Sequence, residues 1–176
     1  VVRFRIGSRA LRGWLALEGN GLLLPSTALI RRTVLDDMRG FDSEFSVSAD
    51  LEFALRMEEF GPLDAVPETL VRYRVHPAQM HRRLYDLGSD FSLLHDRVFA
   101  DGRRRSFERR CRANLDVHLG LSHLLRGRVG VAIPYLLNAL RRDPRRLFTL
   151  PLRALIRRLG RRSRALFRIR APRWVQ

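Results

Sequence analysis

The stretch "RGFDSEFSVSADLEFALRM", Arg39–Met57, decides how this chain is read. It runs from a Gly-Phe-Asp turn through a short polar loop to Asp50, which opens an apolar helix. On a helix over about 51–60, advancing about 100° per residue, Glu52, Arg56 and Glu59 share one stripe. Phe53, Ala54, Met57 and Phe60 fall on the other side, and Asp50 projects over that apolar side. Its carboxylate is therefore expected to point inward at a helix N-terminus. Two readings follow: Asp50 caps its helix, as Asp and the nearby Ser48 both do well, or it faces a cleft and does chemistry there. Asp42 reads as a turn former bonding its own loop. Glu52 and Arg56 read as an i, i+4 surface pair.

Working outward, "GLLLPSTALIRRTVLDDM" gives a short apolar strand, a bend at Pro25, and a helix near 31–38. Arg39-Gly40 ends that helix, the glycine supplying a left-handed residue. "VVRFRI", residues 1–6, alternates apolar and basic positions and is expected to be a strand. Beyond the Asp50 helix, Gly61-Pro62 stops the chain, and "LDAVPE" and "TLVRYRVH" read as two strands. In the second, Val71, Tyr73 and Val75 take one face while Arg72, Arg74 and His76 take the other, until Pro77 removes a ladder donor. From Gln79 onward the pattern is helical.

Within 81–146, the segment "NLDVHLGLSHLLRGRVGVAIPYLLNALRRDP" places Gly120, Ala132, Leu136, Ala139 and Pro144 at spacings that resemble one tetratricopeptide repeat, a hairpin over about 113–146. Asp116 stands where that pattern usually has Trp. The tail, 147–176, carries nine arginines and no acid. Leu152, Leu155, Ile156 and Leu159 form an apolar stripe there, with Arg153, Arg157 and Arg161 outside it, which reads as a basic amphipathic helix.

Charge divides the 176 residues unevenly. Residues 1–101 hold 13 Arg and 15 acids, whereas residues 102–176 hold 21 Arg and 3 acids, within a formal total of +16. That boundary predicts two regions with different partners. Cys111, the single cysteine, excludes an intrachain disulfide framework. No apolar run approaches the roughly 20 residues of a spanning helix. The opening "VVRFRI" starts in mid-strand style, so the chain is expected to be the later part of a longer protein.

Taken in order, "RRTVLDDMRGFDSEF", "SADLEFALRM" and "PETLVRYRVHPAQM" resemble the second half of family-2 glycosyltransferases, over roughly Gly19–Met80. The resemblance implies an α/β class, with residues 1–80 as the acceptor-side part of a GT-A fold, followed by an α-helical region. It implies transfer of a single sugar from a nucleotide-diphospho-sugar donor to a sugar or lipid-linked acceptor, in cell-surface polysaccharide or glycolipid synthesis. Asp50 maps to the general base, His76 to a metal or diphosphate contact with Mg²⁺ or Mn²⁺, and Arg72 and Arg74 share that strand face as diphosphate-binding candidates. The departures are specific. Ala49 replaces the first acid of the pair, Arg39 replaces the first Gly of Gly-Gly-Phe-Asp, and no Asp-x-Asp occurs. The basic tail is expected to hold the protein at an anionic membrane surface, on the cytoplasmic face of the cell membrane. A competing reading is a non-catalytic helical interaction module. Nucleic acid is not expected as a partner, because no aromatic platform or binding motif accompanies the charge.

Overall fold

A computed structural model describes residues 9–18, 27–62 and 84–151. Six helices follow in order: α1 (Arg9–Leu15), α2 (Arg32–Met38), α3 (Ala49–Met57), α4 (Leu84–Val98), α5 (Arg105–Leu124) and α6 (Val129–Arg142). A further helical stretch starts at 146.

Helix α3 is the centre of the first part. Leu51, Glu52, Phe53, Ala54, Leu55 and Met57 are all buried, so both of its faces are covered, not one. Helix α1 brings Leu11 and Leu15, one turn apart, into the same cluster, and α4 adds Leu87, Phe91, Leu94 and Val98 at i, i+4, i+7, i+11. Helix α5 closes the cluster with Cys111, Leu115 and Leu119. Burial pushes the Cys111 thiol up to about 12, so it behaves as a small apolar filler.

The expectation of an α/β class is corrected here. Every regular element among the described residues is a helix, and no strand or sheet is present among them. Among the described residues the core is made by helix stripes meeting helix stripes. The segments on which the strand reading rested, 1–6, 21–24, 63–68 and 69–76, lie outside the described residues, except that Arg9–Leu15, directly after the first, is helix. Two smaller expectations also change. Glu52 and Arg56 pair, but at side-chain exposures of 2% and 13% they are no surface pair. Phe60, expected on the core side, is half exposed.

Helices α5 and α6 form a hairpin. A four-residue connection, turned by Gly127 at φ 72°, returns the chain so that Ala132 and Ala139 are fully buried against α5. Gly120 sits at the crossing, where a Cβ would lie 2.7 Å from Leu136 Cδ2. Glu18, just after α1, ties this hairpin to the first part: its carboxylate accepts from Arg110, from Asn114 Nδ2 at 3.0 Å and from Arg146 Nη1 at 3.0 Å. Desolvation would raise its pKa, but the Arg110 and Asn114 hydrogen bonds prevail and lower it.

Candidate catalytic carboxylate

The polypeptide between α2 and α3 is fixed at three points before it reaches Asp50. The first is its exit from α2. Arg39 (φ 57°, ψ 30°) and Gly40 (φ 74°) are both left-handed, turning the chain sharply away from the helix. The Arg56 guanidinium donates to the carbonyls of Met38 (2.8 Å) and Gly40 (2.9 Å) and is itself held by Glu52, at 2.5 Å from Nε to Oε1. Arg56 therefore clamps the turn from beneath, next to Phe53, whose ring stacks on Phe41 at 4.4 Å.

The second point is Asp42. Its Oδ1 accepts the Glu44 N–H at 2.9 Å, closing the expected turn, and its Oδ2 accepts from Arg97 Nη1 at 2.7 Å. The Glu44 N–H, with the Arg97 guanidinium adding to it, holds the Asp42 carboxyl below its ordinary value. Arg97 also binds Glu44 and lies over the Phe45 ring at 5.0 Å.

The third is Asp90 of α4. Its Oδ2 accepts the backbone N–H groups of Ser46, Val47 and Ser48 at 2.8, 2.6 and 2.9 Å. Three successive donors converge on one buried oxygen, and the bond to a charged acceptor makes each stronger than a neutral one. Ser48 consequently does not cap α3 with its side chain; its hydroxyl turns towards Asp90 instead.

Asp50 follows in the first turn of α3. It is partly buried, and its Oδ1 accepts the neighbouring Leu51 N–H at 2.8 Å. Among the described residues no cation pairs with it. Burial raises its pKa, and the backbone hydrogen bonds only partly offset that rise. Ala49 supplies no second carboxylate, so desolvation is the whole cause. A cleft of about 480 Å³ opens beside this loop, lined by Arg39, Phe41, Asp42, Arg56, Arg97 and others, and Asp50 is not in its lining.

Of the expected site residues, only Asp50 falls on described chain. Arg72, Arg74 and His76 lie outside the described residues, so their grouping with Asp50 is not seen. Among the described residues no group of three His, Cys, Asp or Glu is placed to hold a metal ion. The residues that sequence reasoning missed are Asp90 and Arg97. Asp90 had a signal: it occupies the stripe of Leu87, Phe91 and Leu94, and an acid on an apolar stripe needs a buried partner. Arg97 had none, because its partners are more than 50 residues away.

No protein-family model matches the chain, and neither a curated protein nor a solved structure does so.

Proposed function

We propose that the chain is the acceptor-side part of an enzyme that moves a single sugar from a nucleotide-diphospho-sugar to an acceptor hydroxyl, with Asp50 as general base. The reading rests on the order of the sequence motifs and not on a sheet. The observation that carries it is the environment of Asp50: a partly desolvated carboxylate without a cation, at the end of a loop fixed by Arg56, Arg97 and Asp90. Desolvation makes a carboxylate a stronger proton acceptor near neutral pH. As the acceptor oxygen bonds to the anomeric carbon, its proton passes to Asp50 while the bond to the diphosphate breaks. Arg72, Arg74 and His76 would offset charge on that leaving group. Mg²⁺ or Mn²⁺ belongs to this reading through His76, and no step here is routed through it. The basic tail places the protein on the inner face of the cell membrane in this reading. Among the described residues no helix is long and apolar enough to cross a membrane.

The test is Asp50→Asn in the full chain with its natural donor half. Transfer should fall by about 10²–10⁴-fold, the usual share of general-base catalysis, while donor binding holds. Turnover within a few-fold of the parent would make Asp50 structural. The second reading, a helical interaction module, rests on the α5–α6 hairpin, whose small residues Gly120, Ala132 and Ala139 meet at its crossing.

A further inference from the structure

Helix α6 buries the Ala132 and Ala139 face against α5 and leaves an adjoining face bare. Val129, Ile133, Leu137 and Leu140 are 52%, 50%, 46% and 51% exposed, at i, i+4, i+8 and i+11, so they form one stripe along the helix. Leu125, in the connection to α5, is 88% exposed and prolongs the stripe over the hairpin tip. Cations flank it: Arg128 is exposed at one end, Arg141 and Arg145 at the other. No acidic residue occurs between Val117 and Arg142.

We infer that this face of the α5–α6 hairpin lies on an anionic lipid surface, with the α6 stripe in the headgroup region and the flanking arginines on lipid phosphates. Each possible occupant must bury apolar area and accept positive charge. The chain's own tail brings nine arginines and no acid, so it would add like charge to like. A second copy brings the same arginines and a formal +16. A peptide docking on this chain as a helix would need a concave groove, whereas the cleft described above lies between α2, α3 and α4 and takes no residue from α6. An exposed helix with an apolar stripe between cationic ends, about 21 Å long, suits the plane of an anionic interface.

The inference deepens the membrane part of the proposal above and rests on it only for the kind of surface; it needs neither sugar transfer nor the tail. The full chain is mixed with vesicles of phosphatidylglycerol and phosphatidylcholine, or of phosphatidylcholine alone, and the bound fraction is measured by sedimentation. Intact protein should bind the anionic vesicles selectively. Leu137→Asp should weaken that partition at least tenfold without moving the melting temperature. Arg128→Gln and Arg141→Gln, at exposed positions, should weaken it about fivefold each. Unchanged partition in these variants overturns the inference, even if deletion of 152–176 abolishes binding; in that case the tail alone is the anchor. If the face variants release the protein and the tail deletion does not, the face stands and the tail reading falls. A collapse in the melting temperature of Leu137→Asp would show the stripe covered within the chain. Dissociation of a dimer at unchanged partition would assign the stripe to a second copy. Either result also overturns the inference.

Discussion

Asp90 Oδ2 lies 2.6 Å from the Val47 nitrogen, the centre of a three-bond cradle that joins α4 to the entrance of α3. Replacing Asp90 by Ala would leave the N–H groups of Ser46, Val47 and Ser48 without an acceptor, two of them only partly accessible to water. Orphaned donors of this kind cost about 1–3 kcal/mol each and are not additive, so Asp90→Ala should lose about 3 kcal/mol. Asp90→Asn keeps an acceptor oxygen and should lose about half as much. Urea unfolding of the two variants measures the difference, and equal losses would mean that a neutral oxygen retains none of the cradle's contribution.

In the proposed reaction, the raised pKa of Asp50 sets the acid limb of transfer. A base works only when deprotonated, so activity should fall as pH drops through the folded-state value, which lies above that of an ordinary Asp. The same shift has a stability consequence of opposite sense. Because the folded protein holds this proton more tightly than the unfolded chain, Asp50 opposes folding at neutral pH and ceases to do so as pH falls. If Asp50 is that base, Asp50→Asn should therefore lower transfer by about 10²–10⁴-fold, as given above, yet leave the protein at least as stable at pH 7. A variant that loses both activity and stability would point to capping as the main role.

Legibility in the sequence followed the range of the interactions. The helix near 31–38, the helix of Asp50 and the small residues of the α5–α6 crossing were all readable, because 3.6-residue periodicity and glycine placement are local signals. Helix α1 was missed: it is short, and its two buried residues, Leu11 and Leu15, join a cluster whose other members lie far along the chain. The burial of Glu52 and Arg56 was invisible for a related reason. A charged i, i+4 pair looks the same on a surface as over two carbonyls, and only the turn at Met38–Gly40 tells them apart. The α/β class failed at the level of topology. Alternation at 1–6 and 69–76 suggested strands; both segments lie outside the described residues, and every regular element within those is a helix.

Arg39 occupies a conformation that glycine adopts without strain. Its φ of 57° brings Cβ towards the carbonyl oxygen, which costs a non-glycine residue about 1 kcal/mol or slightly more. Its side chain is exposed, so its replacement removes no buried contact. Arg39→Gly should raise stability by up to about 0.5 kcal/mol, glycine's extra unfolded-state entropy being subtracted. Gly40→Ala, at φ 74°, should lower it by about 1 kcal/mol despite open space around the site. Thermal melts of both variants check the opposite signs.

His95 and Asp116 make opposing demands on pH. His95 is fully buried, places Nε2 at 3.1 Å from the Leu15 carbonyl, and has its pKa driven down to about 4 by desolvation. The unfolded chain takes up that proton first, so the stability due to neutral His95 is complete above about pH 6.5 and is lost as pH falls towards 4. Asp116, whose pKa burial pushes up to about 6 although Arg142 lies at 3.1 Å, gains over nearly the same interval as it is neutralised. The two should flatten the parent's stability curve between pH 6 and pH 4. Asp116→Asn should steepen the acid loss, whereas in His95→Gln stability should rise on acidification. Denaturant midpoints at pH 7, 5.5 and 4.5 are sufficient to see both.

The hairpin gives a paired test of packing against propensity. At Gly120 an added Cβ would stand 2.7 and 2.8 Å from Cδ2 and Cγ of Leu136 and 3.4 Å from its nitrogen. The far methyl can swing away, but Cγ and the backbone move only if α6 is pushed off α5. Overpacking of this kind costs about 1–3 kcal/mol, more than the roughly 1 kcal/mol that a glycine loses to alanine in a helix. Gly120→Val should therefore destabilise by about 2 kcal/mol, its branched side chain adding to the clash. Gly130, in the first turn of α6, has nothing within 4 Å of an added Cβ. There propensity acts alone, and Gly130→Ala should stabilise by about 0.5–1 kcal/mol. If both variants shift the urea midpoint in the same direction, the crossing at Gly120 is looser than its contacts with Leu136 require.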